Sequence, residues 1–361
     1  MKDFDVCILG AGLAGMHTAI ELMEAGLTVC VIDPKGIAGG ASGTPVGLAN
    51  PATGRFANRS WKAEQCLERL MARLEEFSNY TGREFYRKSG VLRPALSQKI
   101  AGRMQENVVN NDWAPGMIEW KSSAELEEMH PGLTSVEGGV WVPDGLTVSI
   151  PDYLRGIHSY LSERKVFFFL GRNYSIQKKN NWKISIDQED HFTANKLVIC
   201  AGIYSKSFDI SKELPLHAVK GQTSIMQANY FLEFDHAVSA QGYFSKINDK
   251  EFILGSTYEH NFEHEEPDEV GFEFMFSRFS KVHPELASSS NIVNQWAGVR
   301  ASTPDRKPII GTLDKEMESY IFAGLGSKGL LYSAYGAELL KEHMLNNQTI
   351  PETVDVNRFK A

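Results

Sequence analysis

Near the N-terminus the chain reads Asp5-Val6-Cys7-Ile8-Leu9-Gly10-Ala11-Gly12-Leu13-Ala14-Gly15. A helical pattern over 16–25 follows, then Gly26, then Thr28-Val29-Cys30-Val31-Ile32-Asp33. The order is strand, G-x-G-x-x-G, helix, strand, acid. Gly10 permits the tight turn, Gly12 lets the backbone approach a pyrophosphate, and Gly15 lets the helix pack closely. The helix N-terminus offers unpaired N–H groups to the anion. Asp33 follows Gly15 by 18 residues, where a carboxylate can accept hydrogen bonds from ribose hydroxyls. This unit predicts dinucleotide binding on a Rossmann-like α/β domain.

Two further glycine knots lie downstream. Residues 39–51 read Gly39-Gly40-Ala41-Ser42-Gly43-Thr44-Pro45-Val46-Gly47-Leu48-Ala49-Asn50-Pro51. This small, polar stretch suits a backbone running along a bulky planar ligand. Residues 324–329, Gly324-Leu325-Gly326-Ser327-Lys328-Gly329, follow a predicted strand over 320–323 and lead into a helix over 330–344. An NAD enzyme usually continues with strand–helix units at short spacing, and this chain does not. FAD is therefore the expected ligand, with NAD the lesser alternative.

Around these knots the pattern alternates. Helices are expected over 61–81, 97–111, 150–164 and 270–281. Strands are expected over 166–170, 183–186, 196–200 and 296–301. The stretch 216–256 reads as β-rich, and the acidic segment 260–269 reads as a solvated loop. The expected architecture is α/β: a discontinuous FAD-binding domain (1–80, 145–215 and 296–361) with a β-rich substrate domain of α+β type (81–144 and 216–295) inserted into it.

The chain has 361 residues, with 37 Lys+Arg against 45 Asp+Glu, a formal charge of −8. That balance weighs against nucleic acid as a partner, since such binding runs on basic residues neutralising phosphates. It leaves a small anion open, because one local cation can override the net field. The longest apolar runs, 197–204 and 166–170, fall far short of the roughly 20 residues a membrane span needs. The N-terminal acids do not suit a secretory signal. Cys7, Cys30, Cys66 and Cys200 show neither Cys-x-x-Cys nor zinc spacing and read as buried and reduced, which suits the cytoplasm. No metal site is expected.

These knots, in this order, resemble the D-amino-acid oxidase/glycine oxidase superfamily of flavoproteins, over nearly the whole chain. The resemblance rests on residues 10–15 with Asp33, 39–51, 198–202, 219–222, 298–311 and 324–331. Its most specific piece is Trp296-Ala297-Gly298-Val299-Arg300-Ala301-Ser302-Thr303-Pro304-Asp305-Arg306-Lys307-Pro308-Ile309-Ile310-Gly311. Within the superfamily the likeness is to glycine oxidases and to the FAD-dependent half of the enzymes that trim carboxymethylaminomethyl-uridine in tRNA.

The resemblance implies a glutathione-reductase-type FAD fold and non-covalent FAD, as no cysteine occurs in 324–331. It places Gly10, Gly12 and Gly15 at the pyrophosphate, Asp33 at the adenosine ribose, and Val166 at the adenine through its backbone. Ala41, Ser42, Gly47, Leu48 and Ala49 would run along pyrophosphate and flavin, with Ala201 and Gly202 closing around the cofactor. Ser327, Lys328, Gly329 and Leu330 would lie at the pyrimidine edge of the flavin. Arg300 would hold a substrate carboxylate, with Tyr243 assisting. The implied reaction oxidises a small amine-bearing carboxylate, an amino acid or N-substituted glycine. Hydride passes from the carbon next to nitrogen to flavin N5, the imine hydrolyses, and O2 or a quinone-type acceptor takes the electrons. The alternatives are removal of a carboxymethyl group from a modified tRNA uridine and a non-catalytic FAD-binding protein.

Overall fold

The computed structural model describes residues 2–134, 136–188 and 190–359. Lys360 and Ala361, at the end of the expected FAD-binding segment, lie outside the described residues.

The strand Lys2–Leu9 forms the middle of an eight-stranded sheet. Val6, Cys7, Ile8 and Leu9 are all fully buried, because helices and a second layer cover both faces, as parallel sheets require. Val29–Asp33 pairs with it on one side and Asp190–Ile199 on the other, both parallel. Phe167–Leu170 and Ser319–Ala323 extend the parallel set outward. Trp182–Ile186, Tyr174–Lys178 and Ile309–Asp314 add antiparallel strands. The carboxyl ends of four parallel strands therefore run into Gly10, the turn after Asp33, Cys200 and Gly324. Ligands of open α/β sheets bind at such an edge.

The fingerprint helix spans Leu13–Glu24, three residues earlier than the sequence pattern suggested. The last turn of the glycine fingerprint is the first turn of the helix. Ala63–Thr81, Ile150–Glu163 and Gly329–Asn346 pack beside it in one apolar core. Ion pairs tie the helix Ala63–Thr81 to the fingerprint helix: Arg73 reaches Glu21 and Glu24, and Glu76 on its own helix, each at 2.7 Å. All four cysteines are buried. Among the described residues no helix is long and apolar enough to cross a membrane.

A second eight-stranded sheet runs in the order Ser290–Ser302, His217–Ala228, Glu251–Gly255, Tyr243–Lys246, Ala237–Ser239, Val91–Pro94, Gly139–Val142, Glu119–Lys121. The helix Glu269–Val282 packs on it through Met275 and Phe279. The strand Ser290–Ser302 belongs wholly to this sheet, so the chain changes sheets after Ser302. The acidic segment 260–269 is not simply solvated. Glu265 binds Lys35 at 2.9 Å and accepts from the Tyr204 hydroxyl at 2.7 Å, which tethers this segment to the carboxyl edge of the first sheet.

Candidate functional site

One cavity of about 1410 Å³ opens between the carboxyl edge of the first sheet and the face of the second. All three glycine knots border it. The first is folded tightly: a methyl on Gly10, whose φ is +114°, would come within 2.4 Å of the Cys200 carbonyl. One on Gly15 would come within 1.9 Å of the Gly10 carbonyl. Only glycine permits that double approach. Asp33 is already bound into the loop, accepting from Ala11 N and Lys35 N, each at 2.8 Å. Burial raises its pKa, against those hydrogen bonds.

The second knot lies back on the first. Ser42 Oγ accepts from Leu13 N at 3.1 Å, and a methyl on Gly12 would come within 2.9 Å of the same oxygen. The third knot opens the helix Gly329–Asn346, whose N-cap residue, like that of the fingerprint helix, gives no side-chain cap. Apart from Leu13 N, which Ser42 takes, the two helix ends thus present N–H groups to one cavity. Lys328 Nζ donates to the Arg306 carbonyl at 2.8 Å and the Tyr332 hydroxyl at 3.2 Å. Burial, then Arg306, lowers its pKa to about 8.

The opposite wall is the second sheet. Arg300 lies across Gly221, donates from Nη1 to the Thr257 carbonyl at 3.1 Å, and sits 4.7 Å from the Tyr258 ring centroid. Tyr243 donates its hydroxyl to the Val46 carbonyl at 2.7 Å, joining this sheet to the second knot. Burial raises the Tyr243 pKa while nearby Arg300 opposes the rise.

Of the residues expected at the site, Gly10, Gly12, Asp33, Ala41, Ser42, Gly47, Leu48, Ala201, Gly202, Tyr243, Arg300, Ser327, Lys328, Gly329 and Leu330 border the cavity. Gly15, Ala49 and Val166 stand outside its wall. Gly15 is one turn into the fingerprint helix. Ala49 is fully buried in a short strand. Val166 packs in the core and donates its N–H to Leu161.

The sequence reading missed Asn50, Ser60, Arg93, Tyr258 and Trp296 on the wall. A usable signal for Arg93 was its place in Val91-Leu92-Arg93-Pro94, one charge within a wholly buried strand.

The wall suits FAD. The Gly10–Gly12 cradle and the two helix ends fit an anionic pyrophosphate and an electron-rich ring edge. Asn50 Nδ2, Ser60 Oγ and Thr223 Oγ1 are buried on this wall without hydrogen-bond partners. Such orphans are rare unless a polar ligand meets them.

The family model described as FAD dependent oxidoreductase (DAO) matches residues 5–343. The tRNA 5-methylaminomethyl-2-thiouridine biosynthesis bifunctional protein MnmC of Acinetobacter baylyi is 26% identical over 350 residues, covering 94% of this chain and 52% of that protein. The protein of that name from Leptospira interrogans serogroup Icterohaemorrhagiae serovar copenhageni is 24% identical over 382 residues, covering 94% and 57%. The chain thus spans about half the length of these relatives. Among solved structures, glycine oxidase from Geobacillus kaustophilus superposes with a TM-score of 0.87 at 20% identity, covering 97% of this chain and 96% of that one. L-proline dehydrogenase from P. horikoshii gives 0.85 at 18%, covering 99% and 98%. These structures share the fold.

Proposed function

The chain belongs to the DAO family of FAD-dependent oxidoreductases, and from that premise we propose that it oxidises an amine-bearing carboxylate, an amino acid or N-substituted glycine, at the carbon beside nitrogen. FAD, held by Gly10, Gly12, Asp33, Ser42 and the 327–330 turn, supplies the two-electron acceptor for that carbon. O2 or a quinone-type acceptor takes the electrons onward.

The observation that carries the reading is Arg300. Its guanidinium stands on the cavity wall with a carbonyl and an aromatic ring as partners. Among the described residues it forms no ion pair with a carboxylate. A planar fork in that state matches an incoming carboxylate with two hydrogen bonds, fixing position and angle together. Tyr243 keeps its proton at neutral pH and pins the second knot to the substrate sheet, so that the ligands on the two walls share one frame. Holding reactants in a near-attack geometry supplies the rate gain, and the amine need only arrive deprotonated.

A panel of amino acids and N-substituted glycines, added anaerobically to the FAD-loaded protein, tests this. Bleaching of the flavin band at about 450 nm by at least one carboxylated amine, lost in Arg300→Ala, is the expected result. No bleaching by any amine points instead to a non-catalytic FAD-binding protein.

The same chemistry on a carboxymethylaminomethyl group of a tRNA uridine is the second reading. The names of the MnmC relatives favour it, as does the presence of Arg55 on the cavity wall. Binding of labelled tRNA at low salt, weakening steeply as salt rises, would support it. No such binding would remove it.

A further inference from the structure

We propose that the cavity contains a second anion site built on Arg93, and that the substrate is an amine acid carrying two anionic groups. This rests on the reading that Arg300 takes the carboxylate beside the oxidised carbon, and it adds what the far end of the same molecule must be.

Arg93 is 7% exposed and borders the cavity. Its guanidinium donates to two neutral acceptors, Ser239 Oγ at 3.1 Å and the Gly54 carbonyl. Its Nε–H is buried without a partner. Among the described residues no carboxylate pairs with it. Burial lowers its pKa to about 10, and the titratable group that opposes this is Tyr258, the ring on which Arg300 rests. A charge taken from water without a counter-ion is costly. A protein core would discharge that cost with an acid, and this one directs the cation to a ligand cavity.

The sheet register places Arg93 relative to Arg300. Trp296, Thr223, Gly255, Tyr243 and Ser239 stand directly opposite one another across five strands. Arg93 comes next in the row, one step past the paired Val238 and Leu92. Directly opposed residues share a face of the sheet, here the cavity floor. Arg93 anchors on Ser239. Arg300 anchors on Thr257, two residues beyond Gly255. Ser239 and Gly255 are two strand spacings apart, roughly 10 Å, and the two-residue step on to Thr257 brings the separation of the anchors to roughly 12 Å. One hydrogen bond of about 2.9 Å at each end leaves room for two anions joined by a short spacer. The second anion is a carboxylate or a phosphate.

Anaerobic calorimetric titration of the FAD-loaded protein tests this with three probes: iminodiacetate (two carboxylates), O-phosphoserine (carboxylate and phosphate) and N-methylglycine (one carboxylate). At least one dianion should bind tenfold or more tightly than N-methylglycine. Arg93→Gln should erase that advantage while leaving N-methylglycine within twofold, and Arg93→Lys should retain part of it. Preference for iminodiacetate assigns a carboxylate, and preference for O-phosphoserine a phosphate. If Arg93→Gln fails to fold, the wild-type ratio and the lysine variant decide.

Equal binding of all three by the wild type overturns the proposal. So does an equal loss of all three in Arg93→Gln, which is the mark of a clamp between the Gly54 turn and Ser239. If N-methylglycine binds through Arg300 and the dianions gain nothing, only the Arg93 site falls. If nothing binds and no amine bleaches the flavin, the reading on Arg300 falls with it.

Discussion

The guanidinium of Arg300 lies directly over Gly221: a methyl group on Gly221 would come within 2.0 Å of Arg300 Nη2. The two residues sit on adjacent antiparallel strands, where Val219 opposes Arg300 and Gly221 opposes Gly298. The absence of a side chain at 221 is what lets the arginine lie flat along the cavity wall.

Gly221→Ala should therefore displace Arg300 without touching the dinucleotide cradle. The expected outcome is a rise of tenfold or more in KM for carboxylated amines, with FAD content unchanged. Steady-state kinetics beside the flavin-to-protein absorbance ratio checks it. An unchanged KM would mean that the arginine is free to move aside.

Removing the guanidinium itself should cost more. Two charge-assisted hydrogen bonds contribute about 1.5–3 kcal/mol each, so Arg300→Ala should lower kcat/KM for a carboxylated amine by at least about 10²-fold. Amines without a carboxylate should lose little. Equal losses for both kinds of amine would contradict a carboxylate-binding role.

The cofactor cradle makes a separate prediction. Gly10→Val places a branched side chain where even a methyl meets the Cys200 carbonyl, at a backbone angle that β-branched residues avoid. The variant should purify largely free of FAD. Acid precipitation of the wild-type protein should leave yellow FAD in the supernatant, as non-covalent binding requires. Colour remaining in the pellet would indicate a covalent link.

Acid stability should depend on three histidines buried beside Phe244 of the second sheet. His130 Nδ1 lies 2.9 Å from His236 Nε2, and the His130 and His283 rings are 5.3 Å apart. Burial, then the neighbouring His236 and His283, lowers the His130 pKa to about 2. Burial also lowers those of His236 and His283. Below the ordinary histidine pKa of about 6.5 the unfolded chain takes up protons that the folded chain refuses, so stability falls as pH drops. His130 contributes up to about 1.4 kcal/mol per pH unit in that window, and His236 and His283 act in the same direction. Melting curves from pH 7 to pH 5 should show a falling Tm, with a shallower slope in His130→Leu. Parallel slopes would remove His130 as a cause.

The placing of the fingerprint, the acid after the second strand and the two later glycine knots on one cavity was legible in the sequence because their geometry is local. A tight turn, a close backbone approach and an uncapped helix start are each encoded within a few residues, and the spacing survives without knowledge of the fold. The parallel sheet was legible for the same reason, since strands buried on both faces read as continuous apolar runs. Arg300 was legible only through the family segment around it.

The tertiary structure decided what depends on strands far apart in the chain. Arg93 and Ser239 are separated by 146 positions and meet because Val91–Pro94 pairs with Ala237–Ser239. Tyr258 acquires a role only where Arg300 rests on its ring. Val166, expected to meet the adenine through its backbone, keeps its side chain in the core. Local spacing fixes where a backbone can approach a cofactor. Which charges face one another across a cavity is set by long-range register, which periodicity does not carry.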